Sequence, residues 1–158
     1  MMKKLFTFII LTIGFTVSAQ IATSGTSNSG TNASAIGYQT SATNTVSTAM
    51  GRETLASGVT STAMGYQTSA TNTASTAIGN NSTASGITST AIGNNSTASG
   101  ETSIAMGFET EATHSASLAM GYQTSSTEGA STAMGFQTTA SGFGSTSIGY
   151  QTTASGYG

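Results

Sequence analysis

Nine glycines, Gly37, Gly51, Gly65, Gly79, Gly93, Gly107, Gly121, Gly135 and Gly149, stand 14 residues apart without a slip. The same phrase precedes them, as in Ser61-Thr62-Ala63-Met64, Ser75-Thr76-Ala77-Ile78 and Ser117-Leu118-Ala119-Met120. Three residues after each glycine comes Thr or Ser, and five after it Ala in eight copies, with Ser126 the exception. Nine copies from Ala33 to Gly158 fill 126 residues. A strict short period makes each copy one rung of a solenoid, stacked on the next. Fourteen residues are too few for a helix pair but suffice for two short strands and two turns. The phrase before the glycine alternates with period two, the mark of a strand. The glycine is expected at the first turn, where a Cβ would be opposed, with the Asn or Gly seven residues later at the second. The expectation is an all-β parallel roll of nine rungs, its equivalent residues about 4.8 Å apart and its length roughly 40 Å.

The strand before each glycine has two unequal faces. One carries Met or Ile beside Thr, Ile or Leu, as at Met50, Ile78, Ile104, Leu118 and Met134; the other carries only Ser and Ala, as at Ser47, Ala49, Ser89 and Ala91. Neither has the Lys, Glu and Gln of a solvated surface. A thin coil buries one face, so the other is expected to meet another chain, because an apolar stripe running the length of a rod marks an interface. The period does not say which face turns inward, nor how many chains assemble.

The first nineteen residues are of another kind. Lys3 and Lys4 precede an apolar run from Leu5 to Val17, and Val17-Ser18-Ala19 offers small residues for cleavage. This is the layout of a secretory signal peptide, and the run is short of the roughly 20 residues needed to span a bilayer. The expected organisation is a signal peptide over 1–19, a cap or linker over 20–32 and the repeat over 33–158. Removal of the signal leaves Arg52 alone against Glu53, Glu101, Glu109, Glu111 and Glu128, a net charge of −4. Without a basic patch the chain has no means of neutralising phosphates, so neither nucleic acid nor an anionic membrane surface is an expected partner.

The phrase Ser89-Thr90-Ala91-Ile92-Gly93-Asn94-Asn95-Ser96-Thr97-Ala98-Ser99-Gly100 resembles the head repeat of YadA-like trimeric autotransporter adhesins. The resemblance covers nearly all of the chain after the signal. It implies a left-handed parallel β-roll, a homotrimer with three chains side by side, and export to a bacterial cell surface or the extracellular space. It also implies binding of host matrix proteins or cell surfaces. The family's neck, coiled-coil stalk and membrane-anchoring β-barrel have no counterpart in these residues, and the signal lacks the extension often seen there. A stop at Gly158, the last position of a repeat, suggests a segment of something longer. Two further functions share such a roll: a structural spacer in a fibre, and an ice- or crystal-binding solenoid. The latter needs two unbroken outward Thr columns, and Ile104 and Leu118 interrupt the one ahead of the glycine.

Catalysis has little to work with. His114 is the only histidine and stands at the second turn; there is no Cys or Asp, so no nucleophilic triad is expected. Glu109 and Glu111 lie close together with Glu101 nearby, an arrangement read as a solvated edge rather than a metal or hydrolytic site. No cofactor, metal or catalytic residue is expected. The position after each glycine is more distinctive: Tyr38, Tyr66, Phe108, Tyr122, Phe136 and Tyr150 form a column broken by Arg52, Asn80 and Asn94. It is either a shield stacked along the ladder or a stripe that contacts a ligand. The sequons at Asn81 and Asn95 would matter only in a eukaryotic secretory pathway.

Overall fold

A computed structural model describes residues 24–158, so the signal peptide expected over residues 1–19 lies outside the described residues. Each repeat contributes one five-residue strand, such as Thr76–Asn80, and one two-residue strand, such as Thr83–Ala84. The long strands, from Ser34–Tyr38 to Thr146–Tyr150, form a nine-stranded parallel sheet. The short ones, from Ser27–Asn28 to Thr153–Ala154, form a ten-stranded sheet behind it. Every pairing is displaced by one repeat: Thr76 faces Thr90, Ile78 faces Ile92 and Gly79 faces Gly93. The expected solenoid of 14-residue rungs is therefore present. It begins ahead of the first full repeat, since the Ser27 N–H donates to the Thr40 carbonyl and the Gln39 N–H to the Ser24 carbonyl, so that residues 24–32 form a partial rung of their own.

The inward face is the small one. Ala49, Ala63, Ala77, Ala91 and Ala105 of the long strands are fully buried against Ala56, Ala70, Ala84, Ala98 and Ala112 of the short ones. Buried Ser and Thr complete the interior, and its largest fully enclosed side chains are threonines. The serines close the second corner: Ser47 Oγ donates to the Asn44 carbonyl at 2.7 Å and Ser61 Oγ to the Gly58 carbonyl at 2.8 Å. Between the sheets there is room for methyl and hydroxyl groups only. Met50, Met64, Ile78, Ile92, Met106, Met120 and Met134 are turned outward and half-buried.

The corners differ from the sequence expectation in placement. The recurring glycine is the fourth residue of a strand, not a turn residue. Its φ is +132° at Gly93, and an added Cβ there would stand 1.8 Å from the carbonyl oxygen of Gly107 in the next rung. Close axial approach, joined to a φ that side chains rarely adopt, is what demands glycine. The left-handed corner residue comes two positions later, at Gln67, Asn81, Asn95 and Gln123, with φ of 50–52°. The second corner behaves likewise. Its left-handed residues are Val46, Thr60, Ala74 and Thr88, two positions after the Asn or Gly expected to hold that conformation. Val46 and Thr88 are β-branched, so the stack holds conformations that these side chains oppose.

Candidate functional site

Alternation along the long strand places three outward columns side by side: Thr, then Met or Ile, then the aromatic residue. Because the inner face takes only Ala and Ser, every large apolar side chain of this strand is delivered to the outside. Ile148 is 63% exposed at the end of the stack and Ile104 37% exposed within it. The chain by itself thus leaves a stripe of partly covered apolar groups along the whole sheet.

The aromatic column at the strand's end falls into two parts. Phe108, Tyr122, Phe136 and Tyr150 form an unbroken stack, with centroids 4.9, 4.8 and 5.1 Å apart and planes within 10° of parallel. Stacking at the rung spacing turns ring faces toward each other and leaves their edges to the outside, so the rings shield one another while remaining over a third exposed. Tyr38 and Tyr66 are not in this stack. The guanidinium of Arg52 lies between them, 5.7 Å from one ring and 5.4 Å from the other, a cation between two π faces.

A second ladder runs beside the rings, on the left-handed corner. Gln123 donates to Glu109 at 2.7 Å, Gln137 to Gln123 at 2.8 Å and Gln151 to Gln137 at 3.0 Å. Gln67 donates to Glu53 at 2.7 Å, and Arg52 pairs with the same carboxylate at 3.1 Å. The Gln67 amide first, and Arg52 after it, hold the Glu53 carboxyl below its ordinary value. This amide ladder was not read from the sequence. Its signal was available in the recurrence of Gln or Glu two residues after the glycine.

The remaining candidates are dispersed. His114 is exposed at the second corner, where its carbonyl accepts from Ser117. Glu109 is on the first corner, whereas Glu111 faces outward from the short strand Glu111–Ala112. No group of three or more His, Cys, Asp or Glu side chains gathers among the described residues. The outer side of the short-strand sheet carries Ser69, Thr83, Thr97, Ser125 and Thr139, interrupted by Leu55 and Glu111.

Parallel coils of 14 residues, an Ala–Ser interior and an apolar stripe on the outer face define a β-solenoid of the head-repeat class. The family model of the YadA head domain repeat matches residues 29–54, 56–82, 84–110 and 140–158, more than half of the chain. The chain belongs to the YadA head repeat family, a family of adhesin type. Residues 111–139, between the matched segments, keep the same pairing and the same 14-residue register. No curated protein matches the sequence.

Proposed function

We propose that this chain is a non-enzymatic adhesin head, exported to a bacterial surface, which assembles as a homotrimer and binds matrix or cell-surface ligands through many repeated contacts. The observation that carries this reading is the inversion of the strand: Ala and Ser go inside, and Met and Ile go outside. Packing one Ile or Met against a partner is worth about 1.5–3 kcal/mol, and the column repeats in every rung. Self-association along the Met and Ile column covers it. Repetition also sets the mode of ligand binding, since evenly spaced weak contacts gain strength from multivalency rather than from one pocket. Belonging to an adhesin-type family supports a binding role.

Analytical ultracentrifugation of residues 20–158 tests the assembly. A trimer is expected, and a folded monomer at micromolar concentration overturns it. Adhesion is tested by adding the assembled head to immobilised matrix proteins and to host cells. Saturable binding that weakens when the trimer is dissociated is expected. An intact trimer that binds neither surface makes the segment a fibre spacer instead.

A further inference from the structure

The aromatic column is interrupted at two successive rungs. In register, Tyr66 is followed by Asn80, then Asn94, then Phe108. The two rings are thus three rungs apart, about 14 Å at the usual strand spacing. Between them stand only the two short amides, each partly buried, so the outer half of the column is open there. The corner column shortens in the same place, with exposed Asn81 and Asn95 where most other rungs carry Gln or Glu. The result is a notch with amides on its floor and one aromatic face at each end. Arg52 occupies one face of Tyr66 and Tyr122 occupies one face of Phe108, which leaves the opposite face of each ring turned toward the asparagines.

The molecule itself shows what such a space accepts. One rung earlier, the planar Arg52 guanidinium sits between Tyr38 and Tyr66 and pairs with a carboxylate on the adjoining corner. The notch is one rung wider, and its Phe108 end offers the same two groups. Phe108 supplies a ring face, and Glu109 beside it supplies a carboxylate on the corner. Gln123 holds Glu109 through Oε2, and no ion pair engages it among the described residues. Arg52, the one Lys or Arg of the described residues, is already paired with Glu53. The cation that would complete the notch has to come from outside the chain, and the chain's acidic balance after signal removal favours it.

We propose that the notch between Tyr66 and Phe108 is a binding seat for an arginine side chain of a partner protein. The guanidinium stacks on the Phe108 face that is turned toward Asn94 and donates to Glu109 beside it, with Asn80 and Tyr66 closing the far end of the notch. This rests on the reading of the head as a binding module and names the chemistry of its partner. Arginine is preferred to lysine because a planar guanidinium stacks and forks onto a carboxylate, which a compact ammonium does not.

The test titrates the exported protein at fixed physiological salt with a tetra-arginine peptide, a tetra-lysine peptide and a tetra-citrulline peptide. Backbone and Asn side-chain NMR shifts are the readout. Arginine binding with shifts centred on Asn80, Asn94 and Glu109, weaker for lysine and absent for citrulline, is expected. The double variant Asn80→Tyr/Asn94→Tyr fills the notch with residues that the column accepts elsewhere, and should abolish the binding while the fold melts no lower. Glu109→Gln should weaken it by roughly two- to five-fold, the scale of one exposed charge contact. Equal binding of arginine and lysine peptides overturns the proposal, as does unchanged binding in the filled variant. So does a neutral oligosaccharide competing for the same shifts. A changed oligomer size in the filled variant also overturns it, by placing the notch within a subunit contact. The peptide titration uses no host surface, so failure of adhesion and failure of the notch are read separately.

Discussion

The two rungs that carry Asn80 and Asn94 and the four that carry Phe108, Tyr122, Phe136 and Tyr150 share one backbone and differ in the column after the glycine and in the corner column beside it. In the aromatic rungs the ring column, the Gln123–Gln137–Gln151 ladder and the buried threonines go together. Thr124 and Thr138 hydroxyls there have no hydrogen-bond partner within the protein. In the asparagine rungs the buried position is serine, and Ser82 and Ser96 reach the carbonyls of Gly93 and Gly107 at 3.0 and 3.1 Å. Threonine adds a methyl to a thin interior, while the serines there gain a hydrogen bond. A methylene of burial and a hydrogen bond are each worth on the order of 1 kcal/mol, so the roll accepts either. The comparison teaches that stacking fixes the inner layer to within a methyl group, while the outer columns vary freely and carry whatever is specific to a rung.

The largest effect tests what the two regions have in common. Gly93→Ala in the asparagine region and Gly121→Ala in the aromatic one should destabilise equally, by about 3–5 kcal/mol per chain. In each an added Cβ meets the next rung's carbonyl oxygen, at 1.8 Å and 2.0 Å. Gly149→Ala at the end of the stack has no such neighbour and retains only the strain of φ +132°, so about 1–3 kcal/mol is expected. Thermal unfolding checks the order; a Gly149 variant as damaging as Gly93 would mean that strain, not axial contact, sets the requirement.

A middle-sized effect should separate the regions. Replacing Tyr122 and Phe136 by Asn makes the aromatic rungs resemble their neighbours and removes the three ring pairs. At about 0.5–1.5 kcal/mol for each pair, a loss of roughly 1.5–4.5 kcal/mol is expected, with the β-sheet circular dichroism unchanged below the transition. Loss of the sheet signal itself would show that the rings belong to the core and that the regions are not interchangeable.

The smallest effect concerns the two carboxylates that begin amide ladders, Glu53 and Glu109. Glu53 is held below its ordinary value of 4.5 by Gln67 and then Arg52. A depressed folded value means stabilisation that is present above the unfolded value and lost as pH falls through the folded one. Melting followed from pH 7 down to pH 3 should therefore show a slight decline in the wild type below about pH 4.5, reduced in Glu53→Gln. The side chain is half-buried at the surface, where solvent screens its contacts, so the shift in melting temperature should be small. An identical pH profile for the two proteins would detach Glu53 from the stability of its rung.

Sequence alone determined the rung, its register and the number of full repeats. An unbroken 14-residue period permits parallel stacking of like on like, and the breaks at Arg52, Asn80 and Asn94 in the column after the glycine were visible before any coordinate. It also marked Tyr38, Tyr66, Phe108, Tyr122, Phe136 and Tyr150 as one line. The tertiary structure decided the rest. Which face of the Ser-Thr-Ala-Met strand turns inward follows from how closely the two sheets approach, since the space between them admits only methyl and hydroxyl groups. The corner residues were illegible because Gln, Ala, Thr and Val carry no strong left-handed preference. Their φ is imposed by the coil that the strand glycine allows to close up along the axis. The seat of Arg52 and the notch at Asn80 and Asn94 belong to the tertiary structure as well, since a gap between ring faces exists only once the rungs are stacked and the rings have aligned.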